Sequence, residues 1–249
     1  MHDPKFFAMQ AEGAPALPDG AGERFAGYGV LGVTFASGHV LALRRFAASS
    51  IGPAYTSVWH RNQGGDWTFY QDVEPCQACS RYFGRMISRN IVRPIRCEWT
   101  GPLEFEVGVD GPDGLQWRVQ LQATVTSRIL NGVAAVMPRK WWHRPAAVNA
   151  VGRAAGVLLG SGRLCLAGKT PNGQTFLANP SRIWVIADSR AVVAGEDLGG
   201  LAPLREQARL GDFWIPQRGL FAIASAYLDA SSQTCPLPVS RVEADHISG

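Results

Sequence analysis

Charge is scarce in this 249-residue sequence: Asp, Glu, Lys and Arg make up 18% of it, against 46% hydrophobic residues. That balance excludes the disordered class, in which charge outweighs hydrophobicity. The net charge is only +4, which by itself argues for no nucleic-acid partner. No apolar run approaches the roughly 18 residues of a membrane helix, so no membrane partner is expected. Cysteines are few, and five is an odd number for a disulfide framework. The start, "MHDPKFFAMQAEGAPALPDG", lacks the basic stretch and apolar core of a secretory signal. These absences lead us to expect a cytoplasmic protein with reduced thiols. Phosphate loops, dinucleotide fingerprints, nucleophile elbows and metal-ligand spacings are also missing, so no cofactor and no metal are expected. Cys76 and Cys79 form a lone C-x-x-C, without the further ligands that zinc would need.

Tryptophan and glycine are abundant, at 8 and 28 residues. Gly-punctuated short apolar runs suit a turn-rich β protein. "LEFEVGV" alternates apolar and polar residues, "DGPDG" turns, and "LQWRVQLQATVT" alternates from Leu115 to Thr126. Twelve extended residues would span about 40 Å, a length at which strands curl. "RPAAVNAVGRAAGVLLG" predicts a helix, with Pro145 in its first turn and Gly160 at its end. The expected fold is mainly β: one antiparallel barrel or strongly coiled sheet with one or two flanking or plugging helices. Residues 1–23 read as a loose leader, 24–230 as the barrel-like domain with its helix near 145–160, and 231–249 as a polar tail.

The segment "SVWHRNQGGDWTFY" (57–70) reads as a hairpin. With Gln63-Gly64 as its turn, His60 faces Trp67, Val58 faces Phe69 and Arg61 faces Asp66. One side then carries Thr56, Val58, His60, Trp67, Phe69 and Gln71. The other carries Tyr55, Ser57, Trp59, Thr68, Tyr70 and Asp72. Both sides hold aromatic mass and polar tips, so neither is a plain solvated face.

Long alternating strands, Trp-bearing hairpins and a single helix over roughly residues 24–228 resemble the calycin-type barrels. These include lipocalin-like binding proteins and the carotenoid-hydratase and terpenoid- or polyketide-cyclase relatives. The resemblance implies an apolar ligand held inside a barrel and, in the enzymes, hydration or cyclisation without a cofactor. It is one of architecture, so no residue role carries over.

The candidate site residues come from the chain itself. His60 lies among aromatics, where burial lowers its pKa and leaves a neutral base. His143, in "PRKWWHRP", precedes the helix among cations and beside Trp141 and Trp142. Asp72, or Tyr70 on its face, is the candidate acid, because a carboxyl near aromatic walls holds its proton. Trp59, Trp67, Phe69, Trp117, Trp141, Trp142 and Trp214 are the candidate substrate walls. Structural readings stand beside each: a histidine holding a hairpin end, an aromatic loop sealing a helix, carboxylates in turns. The expected function is a lyase or isomerase acting on a small hydrophobic molecule in a barrel pocket. Its alternatives are a non-catalytic carrier or sensor of such a molecule, and a homodimer that buries the second hairpin face.

Overall fold

A computed structural model describes residues 3–230; the tail expected from residue 231 lies outside them. In chain order the elements begin with α1 (Pro4–Gly13), β1 (Glu23–Thr34), β2 (Val40–Ser49), β3 (Tyr55–Arg61) and β4 (Trp67–Gln71). Next come α2 (Ser80–Phe83), β5 (Arg89–Val92), β6 (Ile95–Gly101), β7 (Glu104–Val109) and β8 (Leu115–Gln122). The helices α3 (Val125–Val136) and α4 (Pro145–Leu159) precede β9 (Ala167–Lys169), β10 (Thr175–Val193) and β11 (Glu196–Asp197). The last elements are β12 (Arg209–Leu210), β13 (Phe213–Trp214) and β14 (Leu220–Leu228).

The main sheet runs β5-β4-β3-β2-β1-β14-β10-β8-β7-β6. Its neighbours pair antiparallel except β4 with β5. The two ends of this path are consecutive in sequence, separated only by Arg93 and Pro94, so the sheet curls back on itself. Proline supplies no ladder donor and suits that bend. The curl also has a source in β10, whose 19 residues span about 60 Å. Its register shifts at Pro180/Arg182 and at Ile186/Asp188, and such bulges add twist and bend. The mainly β, strongly curled sheet is the fold class expected from the sequence.

The concave side is filled with side chains. Trp99 of β6 packs on Tyr28 of β1 and Phe221 of β14, with ring centroids 6.5 and 5.8 Å apart, although β6 is bonded to neither strand. Phe105, Trp117 and Trp184 belong to the same buried cluster. One flank of this interior is covered by α1, which lies within the expected leader. Asp3 caps it, accepting from Phe6 N at 2.8 Å, and Pro4 starts it. Ala8 is wholly buried, and Glu12 accepts from Tyr28 Oη at 2.5 Å and Arg45 Nε at 3.3 Å.

Two local expectations need correction. The alternation from Leu115 does not run to Thr126; β8 stops at Gln122. Thr124 and Ser127 form a capping box, with bonds of 3.1 and 2.9 Å, that starts α3 and turns Val125 out to solvent. Asn131 then docks α3 on β10 by giving and receiving a bond with Ile183, at 3.0 and 2.7 Å. The hairpin register is also one residue away from the expected one. Arg61 pairs with Trp67, Trp59 with Phe69 and Val58 with Tyr70. The loop holds three residues, Gln63-Gly64-Gly65, closed by Asn62 N to Asp66 O at 3.0 Å, with Gly65 at φ +101°. One added loop residue moves every β4 side chain to the other face. Trp67 and Phe69 therefore join Trp59, and Tyr70 joins Val58 and His60. The helix expected near 145–160 is α4, ended by Gly160 at φ +62°. No helix among the described residues is long and apolar enough to cross a membrane.

Candidate functional site

The convex face of β1 and β14 is built from very small residues. Gly27 pairs with Ala224 and Gly29 with Ala222, and Ala226 pairs with Ala178 of β10. Glycine is required at both β1 positions, because β2 closes over their α-carbons. A Cβ on Gly27 would meet Arg45 O at 2.0 Å, and one on Gly29 would meet Leu43 O at 2.1 Å. Large rings rise around this low floor: Phe25, Phe46, Tyr55, Trp59, Phe176 and Phe213. Cys79, Tyr82 and Phe83, from the segment around α2, cover it. The result is an apolar pocket of about 120 Å³.

Its cover is tied down through Glu23. That carboxylate accepts from Arg81 Nη2 at 2.8 Å, Tyr82 Oη at 2.7 Å and Gln174 Nε2 at 3.0 Å. Burial, aided by the bond to Glu23, raises the Tyr82 phenol far above its ordinary range. The wall residue Trp59 stacks on Phe69 at 4.8 Å and donates from Nε1 to Ser57 Oγ at 3.1 Å. Tyr55 Oη lies 3.4 Å from Cys79 Sγ, and burial pushes the pKa of both groups up, so both stay neutral.

Arg44 is the charged group that lines this pocket. It is 8% exposed, and its guanidinium lies 4.4 Å from the Trp59 ring centroid and 5.1 Å from that of Phe213. Nη1 donates to Val30 O at 2.5 Å and Leu43 O at 2.8 Å, and Nη2 to Leu31 O at 3.4 Å. Among the described residues no carboxylate forms an ion pair with it. Its neighbour Arg45 points the opposite way, to Glu12 and to Asp72 at 4.0 Å.

Of the aromatic walls expected from the sequence, Trp59 lines this pocket. Trp67 and Phe69 are buried in the layer beside it, and Trp117 packs in the concave interior, donating to Ser189 Oγ at 2.8 Å. Trp141 is exposed and Trp142 half-buried. Trp214 lies under Arg163 and Arg209, at 4.8 and 5.4 Å. The expected acids and bases are also dispersed. Asp72 accepts from Thr56 N at 2.7 Å and braces the hairpin. Tyr70 is buried among interior side chains, and burial pushes its pKa up to about 12. His143 is exposed and packs on Tyr227, with centroids 5.7 Å apart. Cys76 is disulfide-bonded and Cys79 is a free thiol, which corrects the expectation of uniformly reduced cysteines. Among the described residues no group of three or more His, Cys, Asp or Glu could hold a metal ion.

His60 has a partner that no sequence signal disclosed. His60 Nε2 lies 3.1 Å from His39 Nδ1, and His39 Nε2 lies 3.8 Å from Glu196. Burial, and then the His39 ring, lower the His60 pKa from 6.5 to about 4. The folded state thus favours neutral imidazole, and as pH falls the unfolded chain takes up this proton first. Stability from this group is whole above about pH 6.5 and is lost progressively as pH falls toward 4. Between pH 7 and pH 5 the loss should be about 2 kcal/mol. Urea unfolding at the two pH values checks this: His60→Gln should flatten the dependence, and an unchanged slope would refute it.

Arg44, Tyr55, Cys79 and the Gly/Ala floor were not among the site residues expected from the sequence. The legible trace was "GYG" in β1 and "AIASA" in β14, each placing small residues at every second position. No family model matches the chain, and no curated protein does either. Among solved structures, an acetoacetate decarboxylase from Legionella pneumophila subsp. pneumophila str. Philadelphia 1 is similar over 90% of this chain and 93% of that chain, with 11% sequence identity and a TM-score of 0.41.

Proposed function

We propose that this protein binds a small hydrophobic or aromatic molecule in the convex-face pocket and acts as its carrier or sensor. The supporting observation is the pocket itself: an apolar space over Gly27, Gly29, Ala222 and Ala224, walled by rings. A cavity of about 150 Å³ lined by apolar side chains admits benzene, so a single-ring guest is the right scale. Acid–base catalysis needs a donor or acceptor within hydrogen-bond reach of the substrate. Among the described residues neither a carboxylate nor a histidine lines the pocket, and Tyr55 and Cys79 hold their protons tightly. Binding without conversion is therefore the reading that the residues around the pocket favour.

Trp59 provides the readout. Single-ring ligands should change tryptophan emission saturably and leave the protein chemically unaltered, as followed by mass spectrometry. Ala224→Leu, which raises the floor, should weaken binding at least tenfold while the far-UV spectrum is kept. Binding that ignores Ala224→Leu, or turnover of the ligand, would count against the carrier reading.

A further inference from the structure

We infer that the ligand of this pocket is an anion: an apolar or aromatic body carrying a carboxylate that pairs with Arg44. The inference rests on the binding reading above and names the class of guest. A charge removed from water is costly unless it is paired. Arg44 is 8% exposed and borders an apolar space, yet its bonds are to the carbonyls of Val30, Leu31 and Leu43. Carbonyl dipoles satisfy donors but leave the net charge uncompensated. Trp59 and Phe213 offer ring faces at 4.4 and 5.1 Å, a favourable but neutral environment.

The surrounding groups cannot supply the missing negative charge. Tyr55 and Cys79 both stay protonated, because burial raises them. Glu23, the acid tying down the cover, is already held by Arg81, Tyr82 and Gln174. The bonds to Val30, Leu43 and Leu31 use two donors on Nη1 and one on Nη2, so Nε and the second Nη2 hydrogen have no acceptor among the described residues. Those remaining donors are available to bond a carboxylate, the strong charge-assisted partner of a guanidinium. The floor of Gly27, Gly29, Ala222 and Ala224 leaves room for the body of such a guest in the pocket that Arg44 lines.

Calorimetry with matched acids and alcohols tests this: benzoate against benzyl alcohol, phenylacetate against 2-phenylethanol, hexanoate against hexanol, all at pH 7. The acid of at least one pair should bind tenfold or more tightly than its alcohol. Arg44→Met should abolish that preference, and Arg44→Lys should retain part of it. Equal affinities, or tighter alcohols, would overturn the anion inference and leave the pocket reading standing. If no member of any pair binds, the pocket reading falls, and this inference with it. Should Arg44→Met fail to fold, the wild-type acid-to-alcohol ratio still decides.

Discussion

Trp117→Ala should destabilise the protein by about 4 kcal/mol and leave the affinity for a pocket ligand within twofold of wild type. Trp117 is 2% exposed, in the concave interior of the sheet, and its indole donates to Ser189 Oγ at 2.8 Å. Truncation removes the ring's transfer energy and leaves a cavity between close-packed neighbours, which relax only in part. Ser189 is spared a further cost, because its hydroxyl also donates to Arg118 O at 3.2 Å. Trp59→Ala makes the contrasting case: a similar loss of stability, but with binding abolished, since that ring is both the pocket wall and the face beneath Arg44. Urea melts and ligand titrations on the two variants separate interior from pocket. Loss of binding in Trp117→Ala would mean that the guest lies inside the curl, and the convex-face site would have to be abandoned.

Gly29→Ala should cost at least about 3 kcal/mol, an unusually large penalty for a single methyl group. The added Cβ would lie 2.1 Å from Leu43 O and 3.0 Å from Leu43 C, both backbone atoms of β2. A flexible side chain could swing aside, but a strand bonded on both edges cannot. Either β1 separates from β2, with loss of ladder bonds, or the clash is stored as strain. Gly13→Ala is the control, because nothing lies within 4 Å of a Cβ at that position. Its equilibrium stability should stay within about 0.5 kcal/mol of wild type. Equal stabilities for the two variants would show that β2 does not close over Gly29.

Local signals were readable where one element settles its own outcome. Pro145 and Gly160 bracketed α4, and "LEFEVGV" with its following turn marked β7 and the start of β8. The same reasoning failed beyond Gln122, where strand-like alternation competes with the Thr124–Ser127 cap, and the cap wins by satisfying helix donors. In the 57–70 hairpin, one additional loop residue reversed the faces of β4. Period-2 patterning cannot detect such a slip when both faces are apolar.

The candidate site was less legible still, for a reason that Arg44 and Arg45 make plain. They are adjacent, chemically identical and set in one apolar run, yet one borders the pocket and the other reaches Glu12 and Asp72. His39 and His60 are 21 positions apart and meet only because β2 pairs with β3.

By itself the sequence determined the β class, the long curling strands and the helix at α4, because alternation, turn residues and caps act over a few neighbouring positions. Tertiary structure alone decided that the curl's interior is packed with side chains, that the Gly/Ala floor lies on the outer face, and that Arg44 rather than Arg45 borders it. Those outcomes depend on which strands pair and in what register, and pairing is an energy shared among residues far apart in the chain.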